Sequence, residues 1–388
     1  MTGRIDSVAF FFWSPLTARD YHRFGIDMFR DRFSVRVFDC TRWLAPASGG
    51  SLLKNAVAWF PGYRSIGSAD ELAEELNDCG FGSHWAAIDE LGVCADSDRL
   101  RGEIRARGAR RVECVLGNLP SVTMNLSGSL GRLWSSPRRI PAALMSRMRR
   151  WRRGAPEFAV VAGFQAALSY RSPCNVIKAH SMDYEIAKGT GIEQALPYPY
   201  AVYLDEGIVS HPDYGHLGLK PPTTPTRFLP ALNRFFTGLE AASGIPVVIA
   251  AHPRVGGCGD SHPYGDRKLI AGQTANLVRG AKLVLAHAST SISFAVIWNK
   301  PIAFLTSDDI DEEKWIGGRV RRFAEILRAP LFNIDHATTD TTRMIGATCD
   351  QNAYDAYRRA YIREDDVPDA PLWAIVGDRL AVTEHASH

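Results

Sequence analysis

Apolar runs of strand length recur along this chain, and most are followed by a stretch with helical spacing. In the first half the strand candidates are Val8–Phe12, Ser34–Phe38, Ala56–Phe60, Trp85–Ile88, Val112–Leu116, Phe158–Val161 and Val176–Ala179. Helical periodicity fills Ala18–Arg30, Ala69–Asn77 and Ser97–Arg107. Strands separated by helices imply parallel βαβ units rather than hairpins. The second half repeats the pattern. Strand Tyr200–Leu204 is followed by helix Arg227–Ala242, strand Val247–Ala251 and helix Thr274–Gly280. Strand Lys282–Ala286, helix Thr290–Asn299, strand Pro301–Leu305, helix Glu312–Leu327 and strand Leu331–Ile334 complete it. A chain of 388 residues exceeds what one core usually supports. Two doubly wound α/β domains are therefore expected. The stretch from Pro197 to Pro230, rich in Pro, Gly and Tyr, marks the crossing. It gives domains 1–196 and 197–388, with the C-terminal helices counted in the second.

Charged residues at 22% and hydrophobic residues at 46% fit an ordinary globular protein. A formal charge of +3 is too small to indicate a nucleic-acid partner. No run approaches the roughly 18 apolar residues of a membrane span. Val8–Trp13 is too short for a signal segment and reads as a first buried strand. Seven cysteines without a CxxC pair favour reduced thiols in the cytoplasm over a disulfide framework or a zinc site. No P-loop, HExxH or GxSxG occurs. Neither a metal nor a cofactor is expected.

Three polar motifs stand where strands should end, the place at which open α/β sheets bind ligands. Asp205-Glu206-Gly207 follows the Tyr200 strand, His252-Pro253-Arg254 the Val247 strand, and His287-Ala288-Ser289-Thr290-Ser291 the Lys282 strand. An acid can serve as base or nucleophile. Imidazole and guanidinium can hold a leaving phosphate. A hydroxyl cluster opening a helix can bind phosphate oxygens. Each motif also has a plainer reading. Asp205 and Glu206 could bond local amides, and any one of the hydroxyls could be an N-cap. Further His-Pro pairs occur at His211 and His262, so it is the buried strand before it that distinguishes His252.

Other candidates are weaker. Asp96-Ser97-Asp98 reads as a helix start rather than a metal site. His180 and Asp183 follow the last strand of the first half and, with His211, are acceptor-side candidates. From Cys114 to Pro156 there are eight arginines and no acid. Leu144, Met145, Met148 and Trp151 interleave with Arg147, Arg149, Arg150, Arg152 and Arg153. This pattern suits an anionic membrane surface or an acidic glycan, or a solvated helix face.

Two Rossmann-like domains facing a central cleft make the GT-B glycosyltransferase architecture. The order acid-acid-Gly, His-Pro, Ser-Thr resembles bacterial transferases that use CMP-activated nonulosonic sugars, the sialyltransferases among them. The texture of Tyr203–Tyr214, Ala250–Arg254 and Leu283–Ala295 is similar to the surface-carbohydrate retaining β-Kdo transferases. The resemblance covers roughly residues 179–307. Glu206 stands where those Kdo enzymes often carry an uncharged residue. By this resemblance Asp205 is the catalytic carboxylate, with Glu206 and His252 beside it. Arg254, His287, Ser289, Thr290 and Ser291 bind the donor phosphate. The implied partners are a CMP-sugar and a glycan or glycolipid acceptor. The implied reaction is retaining with Asp205 as nucleophile. An inverting sialyltransferase, an inactive assembly subunit and a UDP-sugar epimerase are the alternatives.

Overall fold

The computed structural model describes residues 4–44, 59–92, 94–120, 154–170, 173–189, 191, 193, 195–211, 214, 220–252, 262–336 and 348–382. The chain divides into two compact units. The first holds the residues up to Leu116, the stretch ending at Met182, and the terminal stretch from Glu364. The second holds Asp183–Arg363 and a short piece beginning at Gly117.

The first unit is built on a parallel sheet of β1 (Ser7–Phe12), β2 (Ser34–Asp39), β3 (Tyr63–Ser65), β4 (Trp85–Glu90), β5 (Arg110–Val115), β6 (Phe158–Ala162) and β7 (Asn175–Ala179). Its order is β3-β2-β1-β4-β5-β6-β7. All of β1 is buried. Alternate residues serve opposite faces: Phe10 and Phe12 join Ile26, Phe29 and Trp373, while Phe11 joins Phe38, Leu72 and Ile104. Burial on both faces is why such a strand reads as a continuous apolar run.

The second unit is also all parallel. It contains β8 (Ala201–Leu204), β9 (Val247–Ala250), β10 (Leu269–Ile270), β11 (Leu283–Ala286), β12 (Ile302–Thr306) and β13 (Leu331–Asn333). The order is β10-β9-β8-β11-β12-β13. The chain winds outward from β8 through β9 and β10, then returns to β8's other side with β11. The β8/β11 gap is thus the topological switch point, where such sheets open a ligand crevice beyond their carboxyl ends. The Pro225–Ser243 helix covers the sheet with Phe228, Leu232, Phe235, Phe236 and Leu239 at helical spacing. Pro225 starts it and Gly244, at φ 69°, ends it.

Several elements differ from the sequence expectation. Ala18–Arg30 is two helices, Ala18–Arg23 and Ile26–Arg30, broken at Gly25 (φ 55°). A Cβ at Gly25 would lie 2.5 Å from Cδ1 of Trp373, so the break is also a close approach. The expected helix Glu312–Leu327 begins only at Ile316 and runs to Leu327, with a separate short helix, Asp308–Glu312, before it. The edge strand falls at Tyr63–Ser65, whereas 56–58 of the expected Ala56–Phe60 strand lie outside the described residues.

The division also differs from 1–196 and 197–388. The crossing is at Met182/Asp183, and the end of the chain belongs to the first unit. There Leu372, Trp373, Val376 and Leu380 enter the core, and Trp373 Nε1 donates to the Arg23 carbonyl at 2.7 Å. Lys178 Nζ on β7 meets Glu364 at 3.0 Å and Asp366 at 2.9 Å. An amphipathic tail helix declares its apolar face in sequence but not which unit it covers. No helix among the described residues is long and apolar enough to cross a membrane.

Candidate active site

Asp205 leaves β8 at the point where Leu204 pairs with Ala250 of β9. Its amide donates to the Ala250 carbonyl at 3.1 Å. Its carboxylate Oδ1 accepts the Gly207 N–H at 2.9 Å, and Gly207 takes φ 60° to close that turn. Buried Tyr264 stands against Asp205. Burial raises the phenol's pKa first, and the Asp205 charge and a hydrogen bond to its carboxylate add to it. The Tyr264 proton is therefore held on the phenol and offered to Asp205.

The same turn carries His211, whose amide donates to the Gly207 carbonyl at 2.7 Å. Its ring lies 4.7 Å from that of His252, centroid to centroid, at 66°. His252 follows β9, so the two imidazoles and Asp205 stand at adjacent strand ends. His211, the acceptor-side candidate from the sequence, thus lies against His252.

Glu206 turns inward. Its Oε1 accepts the amides of His287 (2.8 Å) and Ala288 (2.9 Å), and Oε2 accepts that of Ala288 (2.8 Å). The carboxylate thus bridges the switch-point gap, tying the end of β8 to the end of β11. Burial pushes its pKa up to about 7 despite the amides that favour its anion. The expectation that Glu206 acts on substrate is corrected here. Both of its oxygens are engaged by the protein's own backbone.

His287 is corrected as well. It is fully buried, with Nδ1 2.7 Å from the Leu305 carbonyl and Nε2 3.0 Å from the Tyr203 hydroxyl. A carbonyl only accepts, so Nδ1 carries the proton and Nε2 accepts from Tyr203. Burial lowers its pKa to about 4, only partly opposed by the Leu305 bond. The ring is neutral and is spent on the core, with no nitrogen left for a phosphate.

The hydroxyls lie further out. Ser289 Oγ accepts the Ser291 amide at 3.2 Å, Thr290 is exposed, and Ser291 makes no side-chain cap bond to the helix Ile292–Ile297. Arg254 and Arg147–Arg153 lie outside the described residues.

In the first unit, His180 is another core residue. It is 1% exposed, with Nδ1 3.2 Å from the Ser181 carbonyl and Nε2 3.2 Å from that of Ala370. Its burial against the returning C-terminal stretch removes it as an acceptor contact. Asp183 sits half-buried in the first turn of the Met182–Lys188 helix. Asp96 and Asp98 lie in the first turn of Ala95–Ala106, whose cap is Cys94, with Sγ accepting the Ser97 amide at 3.4 Å.

Two features escaped the sequence. Tyr264 reaches Asp205 from far along the chain and had no local signal. Asp89 and Glu90 end β4 beside the first unit's own switch point, just as Asp205 and Glu206 end β8. Asp89 is held by Arg101 at 2.7 and 3.0 Å and Arg111 at 3.1 Å. Burial pushes the Glu90 pKa up to about 7, against the charge of Arg23. The apolar run before this pair was the signal available.

Neither protein-family models nor curated proteins match the sequence. Solved structures do. Spinosyn forosaminyltransferase SpnP is similar with TM-score 0.50 and 14% identity, covering 97% of this chain and 100% of that one. The H444N variant of the wall teichoic acid polymerase TagF is similar with TM-score 0.53 and 12% identity, covering 97% and 88%. The fold is GT-B. At such identities the likeness fixes architecture alone. It agrees with the two doubly wound sheets, each reversing strand order beside its first strand.

Proposed function

We propose that this chain is a glycosyltransferase that takes a nonulosonic sugar, Kdo first among them, from its CMP donor to a bacterial surface glycan or glycolipid. The observation that carries the reading is the placement of Asp205 and His252 at neighbouring strand ends beside the β8/β11 switch point. The fold supports sugar transfer as the reaction class. Cytidine and the nonulosonic sugar come from the resemblance of the three motifs. Location at the inner face of the cytoplasmic membrane, through Arg147–Arg153, belongs to the same reading.

In the retaining form Asp205 attacks the anomeric carbon. The bond from that carbon to the phosphate oxygen breaks, and its electron pair leaves with CMP. His252, with His211 at its side, neutralises the departing phosphate. The acceptor oxygen then displaces Asp205 and loses its proton to a base. Tyr264 and the Gly207 amide hold the Asp205 carboxylate in position throughout. In the inverting form Asp205 takes the acceptor's proton in a single displacement.

Asp205→Asn keeps the side chain's shape and removes its charge. Transfer from CMP-Kdo should fall to background while CMP still raises the melting temperature, because the carboxylate acts on the sugar and not on the nucleotide. CMP should stabilise the wild type more than UDP, GDP or ADP. A fully active Asp205→Asn enzyme would remove Asp205 from the chemistry. Stronger stabilisation by UDP would move the reading to a UDP-sugar enzyme. A folded wild type that neither binds nucleotide nor transfers sugar would make it an assembly subunit.

A further inference from the structure

Beyond β12 the chain forms the short helix Asp308–Glu312, capped by Ser307 Oγ accepting the Ile310 amide at 3.2 Å. It then starts the longer helix Ile316–Leu327. The two pack closely at Gly317, where a Cβ would lie 2.2 Å from the Ile310 carbonyl oxygen. That contact fixes where the next turn presents Arg319.

Arg319 differs from its neighbours. Arg321 meets Asp311 at 2.5 Å and Arg322 meets Glu325 at 2.8 Å. Arg319 instead stacks on Trp315, with Cζ 4.1 Å from the ring centroid. Trp315 is 55% exposed, unusual for an indole. Arg319 Nε is enclosed and has no hydrogen-bond partner among the described residues. A buried donor left unmade is costly and calls for a partner. Burial disfavours the guanidinium charge, and the Glu206 carboxylate is near enough to favour it. Glu206 is no ion-pair partner, since its oxygens are already taken by the amides of His287 and Ala288. The cation therefore stands in the first turn of the helix that follows β12, on the side of the second sheet where its strands end, with a planar face braced by tryptophan and its Nε without a partner among the described residues.

We propose that Arg319 is an oxyanion-binding residue of the second unit's site, holding a charged group of the sugar-nucleotide donor against the Trp315 platform. This rests on the donor reading above and assigns that site the cation which His287 cannot supply. Guanidinium is suited to the task because its fork pairs with phosphate and carboxylate alike. The oxyanion is either the donor phosphate or the carboxylate of a nonulosonic sugar.

The test uses the full-length chain and the variants Arg319→Ala, Arg319→Lys and Trp315→Ala. Binding of CMP, UDP and free Kdo is followed by calorimetry, and transfer from CMP-Kdo by KM and kcat. If Arg319 holds the phosphate, Arg319→Ala weakens CMP binding about 10- to 100-fold, the loss of a charge-assisted hydrogen bond. Arg319→Lys then recovers part of it. If it holds the sugar carboxylate, CMP binding is unchanged, while KM for CMP-Kdo rises and Kdo binding weakens by a similar factor. If wild type prefers UDP and Arg319→Ala weakens UDP binding, the Arg319 assignment stands and the cytidine reading falls. Unchanged affinity and KM in a wild type that binds CMP would overturn the Arg319 assignment and leave the donor reading intact. Should Arg319→Ala fail to fold, Trp315→Ala alters an exposed side chain. It must weaken the same ligand, to a smaller degree, or the assignment fails.

Discussion

His287 and Glu206 are joined by one hydrogen bond and titrate in opposite senses. The folded chain keeps His287 neutral down to about pH 4, whereas an unfolded imidazole takes its proton near 6.5. Its contribution to stability is full above that value and is lost as pH falls toward 4. Glu206 keeps its proton up to about pH 7 when folded and loses it near 4.5 when unfolded. Its contribution is full below about 4.5 and is lost as pH rises to 7. Each is worth on the order of 3 kcal/mol across the window. The two slopes oppose one another in the wild type. Stability of the second unit should therefore gain a positive slope against pH in Glu206→Gln and a negative one in His287→Gln, each relative to wild type, between pH 4.5 and 6.5. Denaturant midpoints measured across that range check this. Parallel profiles for all three proteins would mean that neither group is enclosed as described. The sequence marks both residues as polar groups at strand ends. It does not say that they turn inward to serve the backbone and core, because their partners lie 81 and 84 positions away in the chain.

At the scale of elements, the β11-to-helix turn combines legible and illegible parts. The apolar run and the hydroxyls after it announce a strand, a turn and a helix start. The helix is shorter than its periodicity implies, Ile292–Ile297 instead of Thr290–Asn299. The first amides of the turn are filled by Glu206, which leaves Ser289 and Thr290 as its outward groups. Ser289 makes one bond of 3.2 Å within the turn, and Thr290 is exposed. Replacing both with alanine should therefore cost little stability, less than about 1 kcal/mol. If they hold the donor phosphate, CMP affinity should fall by roughly 1.5–3 kcal/mol per lost charged hydrogen bond. Calorimetric titration of the double variant Ser289→Ala, Thr290→Ala separates the two quantities. Full CMP affinity would return these hydroxyls to turn geometry. Central strands such as β1, β4, β8 and β11 were readable because burial on both faces leaves an unbroken apolar run. Edge strands β3 and β10 were not, being three and two residues long and only half-buried.

For the whole molecule, the decisive feature is the return of the chain's end to the first unit. Each unit has its own core, and the second is complete without residues beyond Ile362. The first is not. It takes Leu372, Trp373, Val376 and Leu380 from the terminal helix, and Trp373 packs on Gly25 so closely that a Cβ there would lie 2.5 Å from its Cδ1. Two α/β units are legible in the sequence, since alternation and length suffice for that. The sequence assigns the tail by proximity, because helical spacing names a buried face and not its partner. Deleting 364–388 removes four large side chains from the first unit's core. Loss of one such side chain typically costs 2–5 kcal/mol, so the sum approaches the whole stability of a domain. The truncated protein should lose the protection of first-unit amides in hydrogen exchange, β1 and β2 included. The second unit should keep its protected β8, β9 and β11 amides and its stabilisation by CMP. Trp373→Ala in the full chain should give the same asymmetry in milder form. Equal loss of protection in both units would show that they fold as a single cooperative body. Unchanged protection of β1 would show that the terminal helix only decorates a core already complete.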